Sequence, residues 1–183
     1  MKKIIAFVLF ALFVVQASAQ ENSITLSGGY AFADVEEWNV NATGWRINGL
    51  YEYRPNEGKL AHGFSIGYVN LSAEMTESVN TINYKINSWP IYYAPKFLIG
   101  SGNVKGFIKA AIGWQFSHLE RTGALASLDD NDAGFTGGGG AGLRYDINDK
   151  IFVSGEYELL WMSNSFYKDG LLNTASLGLG FKF

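Results

Sequence analysis

The feature that most constrains the fold of this chain is a two-residue alternation of apolar and polar side chains that recurs along it. A period of two is typical of a β-strand with one apolar side. The terminal strand of an open sheet would expose an unpaired edge, which pairing with the first strand removes. The sequence therefore predicts a closed sheet. The alternation is clearest in Asn173–Phe183, where the apolar positions are Ala175, Leu177, Leu179, Phe181 and Phe183.

Eight segments carry this pattern at nearly regular spacing, with turn-forming residues between them. Their lengths match those of tilted membrane-spanning strands, and an even number places both termini at the same end. The pattern therefore predicts an all-β fold, an eight-stranded antiparallel up-and-down transmembrane β-barrel. The segments are Ser23–Ala33, Gly44–Arg54, His62–Ala73, Thr81–Phe97, Lys105–His118, Gly134–Tyr145, Ile151–Met162 and Asn173–Phe183.

The first 19 residues have the pattern of a secretory signal peptide. Lys2 and Lys3 precede the apolar run Ile4–Val15, and Ala17 and Ala19 form a small-residue cleavage motif. The run is shorter than the roughly 20 residues of a spanning helix, and no later segment approaches that length. Only closed barrels and helices satisfy their backbone inside a bilayer. We therefore expect a signal peptide at 1–19 and an outer-membrane barrel domain at 20–183.

Composition excludes several other classes of protein. The formal net charge is −3 and the sequence has no basic tract, so nucleic acid is not an expected partner. The absence of cysteine excludes a disulfide framework and cysteine-ligated metals. No motif predicts a cofactor.

The polar face of the strands carries charges of both signs. Inside a narrow barrel such charges must be paired, and eight strands leave room for side chains but not for a wide channel. We therefore expect a charge network that fills the lumen, with a polar conduit or titrating gate as the alternative. A soluble barrel of the lipocalin kind would reverse the two faces, but the signal peptide and the aromatic content favour the membrane. The predicted lumen residues are Arg46, Glu52, Lys109, Arg144, Glu156, Glu158 and Lys182.

Aromatic side chains near the strand ends predict two belts at the membrane interfaces. The connections after the second, fourth and sixth segments are short, which places them in the periplasm, and the others are mostly longer and face outward. The outer belt would contain Phe32, Trp45, Tyr68, Tyr84, Trp114, Phe116, Phe135 and Trp161. The periplasmic belt would contain Tyr51, Tyr53, Phe64, Tyr92, Tyr145, Phe181 and Phe183.

With these features the chain resembles the small eight-stranded outer-membrane barrels, the porin-like family that includes OmpX and the barrel domain of OmpA. The resemblance rests on the signal motif, Pro90–Phe97, Gly106–Trp114 and Leu179–Phe183. It implies localisation in the bacterial outer membrane. It also implies that Phe181 and Phe183 form a signal read by the barrel assembly machinery, and that lipid and lipopolysaccharide are partners.

Three motifs invite a chemical interpretation that their context does not favour. Gly137–Gly140 lacks the lysine and helix of a phosphate loop, and is better read as space inside the barrel. Asp129–Asp132, predicted in the third outer loop, lacks the glutamate that closes an EF-hand. Ser117 and His118 suggest a lipid A hydrolase, yet adjacent strand residues point to opposite faces and cannot form a nucleophile–base pair.

We therefore expect a monomeric barrel without enzymatic activity. Its role would be structural or interactive, through membrane integrity or adhesion by the outer loops. A narrow pore for small solutes or ions is the main alternative, and a lipid A hydrolase or a soluble ligand-binding barrel is less favoured.

Overall fold

The computed structural model describes residues 20–35, 40–56, 58–77, 80–123, 127–163 and 166–183, and nearly all of them lie in strands. In these ranges no helix is long and apolar enough to cross a membrane. The signal segment 1–19 lies outside the described residues. The strands are β1 Gln20–Val35, β2 Val40–Pro55, β3 Leu60–Glu77, β4 Asn80–Tyr93, β5 Lys96–Ile99, β6 Val104–Thr122, β7 Ser127–Asp146, β8 Ile151–Met162 and β9 Leu171–Lys182.

The strands form a closed antiparallel ring. β9 pairs with β1 from Ser23 opposite Lys182 to Phe32 opposite Asn173, which closes the sheet. β4 and β5 are two parts of one interrupted barrel strand, because both pair with β3 and β6 in a single continuous register. The interruption falls at Ala94 and Pro95, and proline has no N–H to donate to the ladder. With β4 and β5 counted as one, the ring has eight strands, and the predicted eight-stranded barrel is confirmed.

The register also fixes the tilt of the strands. Following cross-strand partners once around the ring from Val104 leads to Trp114, ten residues farther along β6. With eight strands, a stagger of ten residues corresponds to a tilt of about 40°. Each residue then rises about 2.5 Å along the barrel axis, and each step across to the next strand changes the height by about 3 Å.

The apolar face of most strands points outward, as predicted. Leu26, Ile66, Leu143 and Leu177 are 57–76 % exposed, which in water would be a large uncovered apolar surface. The interior instead holds buried polar and charged side chains together with small residues. This is the arrangement of a barrel whose outer surface meets lipid.

The fourth predicted segment departs from this pattern. Ile82, Tyr84 and Ile86 were expected on the lipid face, but Tyr84 and Ile86 are buried inside the ring and Ile82 packs against the same interior cluster. Tyr92, expected in the periplasmic belt, is also buried in the lumen. Tyr84 and Ile86 lie where β4 continues beyond the barrel wall, so their outward face meets water and their inward face is the apolar one. Tyr92 lies lower, within the wall, where it precedes the exposed Tyr93 and the alternation turns it inward.

The remaining aromatic residues of the predicted outer belt face outward. Corrected for the tilt, five of them lie at nearly one height towards the end with the long hairpins, together with Trp89, which was not among the predicted belt residues. Trp45 and Trp89 both contact Tyr68, with ring centroids 5.3 Å apart in each pair. The six residues at this height are Phe32, Trp45, Trp89, Phe116, Phe135 and Trp161.

Strands replace much of what was expected to be loop at this end. Residues 74–77, 119–122 and 127–133 were assigned to connections, but they belong to β3, β6 and β7. Together with β4 they form a four-stranded projecting sheet, made of residues 71–77, 80–87, 117–122 and 127–134. It rises about 20 Å beyond the belt, using the rise per residue given above.

Candidate functional site

The centre of the barrel is occupied by a network of buried charges. Arg46 and Lys109 both form ion pairs with Glu158, and the Lys109 Nζ–Glu158 Oε1 distance is 2.9 Å. Lys109 also pairs with Glu156. The Tyr92 hydroxyl accepts a hydrogen bond from Arg46 Nη2 at 2.6 Å and donates one to Glu158 Oε1 at 2.9 Å. These five residues come from four different strands, so the network ties opposite walls of the barrel together.

A second cluster lies near the short-turn end. Asp146 is its centre, and its carboxylate receives three cationic donors. Glu21 pairs with Arg144 at 3.2 Å and with Arg54, which extends the cluster across the ring. The partners of Asp146 are Lys105 Nζ at 2.7 Å, Arg144 Nε at 2.8 Å and Lys182 Nζ at 3.2 Å.

The seven residues named from the sequence are thus divided among three groups. Arg46, Lys109, Glu156 and Glu158 meet in the central network, and Arg144 and Lys182 belong to the second cluster. Glu52 pairs with Lys96 at 2.8 Å.

Sequence reasoning missed several members of these groups. Tyr92 and Lys96 flank the strand interruption, where the alternation was hard to follow. Asp146 looked like a turn residue because it precedes Ile147-Asn-Asp-Lys150. Strict alternation from Arg144 would have placed Asp146 inside.

The lumen is closed towards the long-hairpin end by apolar side chains. Phe166 and Tyr167, from the connection between β8 and β9, are buried in this cluster. The Tyr167 hydroxyl lies 2.7 Å from Ser88 Oγ, and burial raises the pKa of Tyr167 to about 12. The connection is therefore anchored inside the barrel. The cluster also contains Val69, Leu71, Ile86, Leu160, Met162 and Leu172.

One small void lies between the charges below this cluster. A void of about 10 Å³ lies among Ser27, Asn48, Ser176 and the central charged residues. That is room for one water molecule.

The serine–histidine pair considered for hydrolysis is separated by the sheet. Ser117 is buried inside, where its Oγ lies 2.6 Å from Ser88 Oγ, and it also contacts Gln115. His118 faces outward and its Nδ1 lies 2.9 Å from Asn131 Oδ1. This geometry gives Ser117 no contact with His118 as a base.

The glycine run has one inward position beside the central network. A Cβ placed on Gly140 would lie 2.7 Å from the Tyr157 carbonyl oxygen and 3.2 Å from Glu156 Oε1. Any larger residue would therefore push into the Lys109–Glu156 pair.

A closed antiparallel ring with an apolar outer surface, an aromatic belt and a charged, filled interior is a membrane-spanning β-barrel. The sequence model of the outer membrane protein beta-barrel domain family matches residues 5–183. The chain belongs to this family, and its place is the bacterial outer membrane. The end with the short turns is accordingly the periplasmic end.

Solved structures share the fold at low sequence identity. The attachment invasion locus protein Ail of Yersinia pestis is 18 % identical, with a TM-score of 0.58, and the alignment covers 91 % of this chain and 100 % of Ail. Neisserial surface protein A is 16 % identical with a TM-score of 0.59, covering 92 % and 99 %. The N-terminal barrel domain of Pseudomonas aeruginosa OprF is 15 % identical with a TM-score of 0.52, covering 92 % and 100 %. No curated protein matches the chain in sequence.

Proposed function

We propose that this protein is a non-enzymatic surface-interaction protein, in which the barrel is a closed anchor and the projecting sheet is the contact surface. The observation that carries the proposal is the combination of a filled lumen with a sheet that extends about 20 Å beyond the aromatic belt. A barrel whose only role was to span the membrane would need no such extension. Membrane integrity, the other part of the expected role, is served by the anchor itself.

The chemistry of the sheet favours a basic partner. The sheet has a net negative charge, because it carries six acidic residues against two basic ones, Lys85 and Arg121. The acidic residues are Glu74, Glu77, Glu120, Asp129, Asp130 and Asp132. Ail has been solved in complex with the heparin analogue sucrose octasulfate, a polyanion. The acidic hairpins of the present chain would repel such a ligand, because like charges at close range are unfavourable. We therefore propose a cationic protein surface as the partner.

The test is binding of the nanodisc-embedded protein to poly-L-lysine and to heparin, followed by biolayer interferometry. We expect binding to poly-L-lysine and none to heparin. The variant Asp129→Asn/Asp130→Asn/Asp132→Asn should lose most of that binding, whereas Asp149→Asn in a periplasmic turn should keep it. Equal binding by both variants would overturn the assignment of the sheet as the contact surface.

We also propose that export and assembly use the two ends of the chain. Phe181 and Phe183 are exposed at the periplasmic rim, and the backbone of Phe183 exchanges two hydrogen bonds with Asn22. Both rings are thus displayed on a fixed strand, which suits recognition by the assembly machinery. Deleting Phe183 should reduce outer-membrane insertion, whereas Phe97→Ala, at another exposed aromatic, should not.

For export, we propose that the signal peptide is cleaved after Ala19. Mass spectrometry of the mature protein should place its first residue at Gln20.

Lipopolysaccharide and the surrounding lipid are proposed partners of the barrel wall.

A further inference from the structure

A ladder of amide and imidazole side chains crosses the outward face of the barrel at the base of the projecting sheet. Asn70, Asn87, His118 and Asn131 are successive cross-strand partners on β3, β4, β6 and β7. We call these four residues the amide ladder. The neighbouring rung towards the membrane is aromatic on β3, β4 and β6, and it contains Tyr68, Trp89 and Phe116.

The tilt of the barrel sets the height of the amide ladder. Asn70 is level with the aromatic belt, and each step to the next strand climbs about 3 Å. The ladder therefore spans from the belt to about 10 Å above it, on one side of the barrel. Tyrosine and tryptophan belts lie at the level of the headgroups, so the ladder occupies the headgroup layer of the outer leaflet.

Hydrogen bonds hold the ladder in a fixed arrangement. Asn87 is buried, and its Oδ1 accepts from the Tyr68 hydroxyl and from Asn70 Nδ2, both at 2.7 Å. His118 Nδ1 lies 2.9 Å from Asn131 Oδ1. Asn87 is thus a positioning residue, and the more exposed Asn70, His118 and Asn131 present polar groups to the outside.

The charges next to the ladder are balanced. Lys85 lies 3.8 Å from Glu120, and His118 lies 3.3 Å from Asp129 and 3.4 Å from Glu120. An isolated phosphate would meet as much negative as positive charge here. Uncharged hydroxyl groups are better partners for amides, and the C–H faces of a sugar ring can pack on the exposed Trp45 and Trp89.

We propose that the amide ladder and the aromatic cluster below it bind the saccharide headgroup of lipid A in the outer leaflet, through sugar hydroxyls rather than phosphates. This deepens the proposed contact with lipopolysaccharide and rests on it. It uses residues distinct from Asp129, Asp130 and Asp132, so its failure would leave the binding test on the acidic hairpins unaffected.

The experiment measures thermal unfolding by heat-modifiable gel mobility. The protein is placed in phosphatidylethanolamine–phosphatidylglycerol vesicles, alone or with lipid A, with or without its phosphates. We expect both forms of lipid A to raise the midpoint, with little dependence on salt because the contact is not ionic. Asn70→Ala and His118→Ala should each weaken the apparent affinity about tenfold, since each removes a hydrogen-bonding group.

Asn173→Ala is the matched control. Asn173 Oδ1 accepts a hydrogen bond from the Tyr157 hydroxyl at 2.6 Å, on another part of the barrel wall. It should keep the full response to lipid A. Vesicles without lipid A report any general loss of stability in the variants. A response confined to phosphorylated lipid A and abolished by salt would overturn the proposal, as would equal responses of the ladder and control variants.

Discussion

Glu158 is the residue on which the central network depends. It is buried and accepts contacts from Arg46, Lys109 and Tyr92, so two cations share one carboxylate. Its neighbour Glu156 pairs with Lys109, and among the described residues Glu158 is the carboxylate that pairs with Arg46. The loss of Glu158 would therefore leave the Arg46 guanidinium inside the barrel without a carboxylate partner.

We predict that Glu158→Ala lowers the free energy of unfolding by about 3–5 kcal/mol, the usual cost of breaking a buried pair from one side. Urea unfolding in phospholipid vesicles measures it. The double variant Arg46→Met/Glu158→Leu should recover much of the loss, because it removes both charges. A Glu158→Ala protein as stable as the wild type would contradict the pairing.

A second residue-scale prediction concerns His118. Its hydrogen bond with Asn131 and the nearby carboxylates of Asp129 and Glu120 raise the pKa of the imidazole above its ordinary value. The charged form is therefore favoured by the fold, and its pairs are lost as pH rises through the raised pKa. We expect Asn131→Ala to lower the His118 pKa, as measured by NMR titration of the ring protons. Asn173→Ala should not change it.

At the scale of the element, β7 has an edge that the barrel leaves unpaired. In the part of the chain that the structure describes, β7 pairs with β8 only from Thr136 onward, so residues 127–134 have their ladder partners on β6 alone. The N–H groups of Asn131 and Ala133 donate to Asp130 Oδ1 at 2.9 Å and Asp132 Oδ1 at 2.8 Å. The aspartates thus occupy the donors of this edge and add negative charge, both of which oppose pairing with a second copy.

We predict that Asp130→Ala/Asp132→Ala promotes self-association through β7. Light scattering after size-exclusion chromatography in detergent should show dimers or larger species, where the wild type remains a monomer. Asp149→Ala changes the charge at the periplasmic end and should remain monomeric. If the β7 variant is also monomeric, the aspartates do not protect the edge.

For the whole molecule, closure of the lumen is the property that separates an anchor from a pore. The apolar cluster with Phe166 and Tyr167 lies above the charge network, so a solute would have to displace both. We predict that the purified protein gives no single-channel events in planar bilayers. Steady conductance steps would contradict the closed anchor and favour the pore.

The extent to which this architecture could be predicted differs between the barrel wall and the projecting sheet. Where one face meets lipid and the other meets packed charges, alternation identifies the faces directly, as for Arg46 and Glu158. Above the membrane the outward face is the polar one and the inward face is the apolar one, which is why Tyr84 was placed on the wrong side. Ion pairs between strands that are not adjacent, such as Lys96 with Glu52 on either side of β3, depend on the stagger between strands, and no single segment contains that information.

Because of the stagger of ten residues, the position of a residue along the line of cross-strand partners determines its depth in the membrane. The line of partners from Val104 to Trp114 makes one turn of the wall and climbs about 25 Å, which is close to the height of the apolar band of such barrels. Neighbours on adjacent strands therefore sit in different layers of the bilayer. Single reporter groups at successive partners along this spiral would sample the membrane from one interface to the other in regular steps.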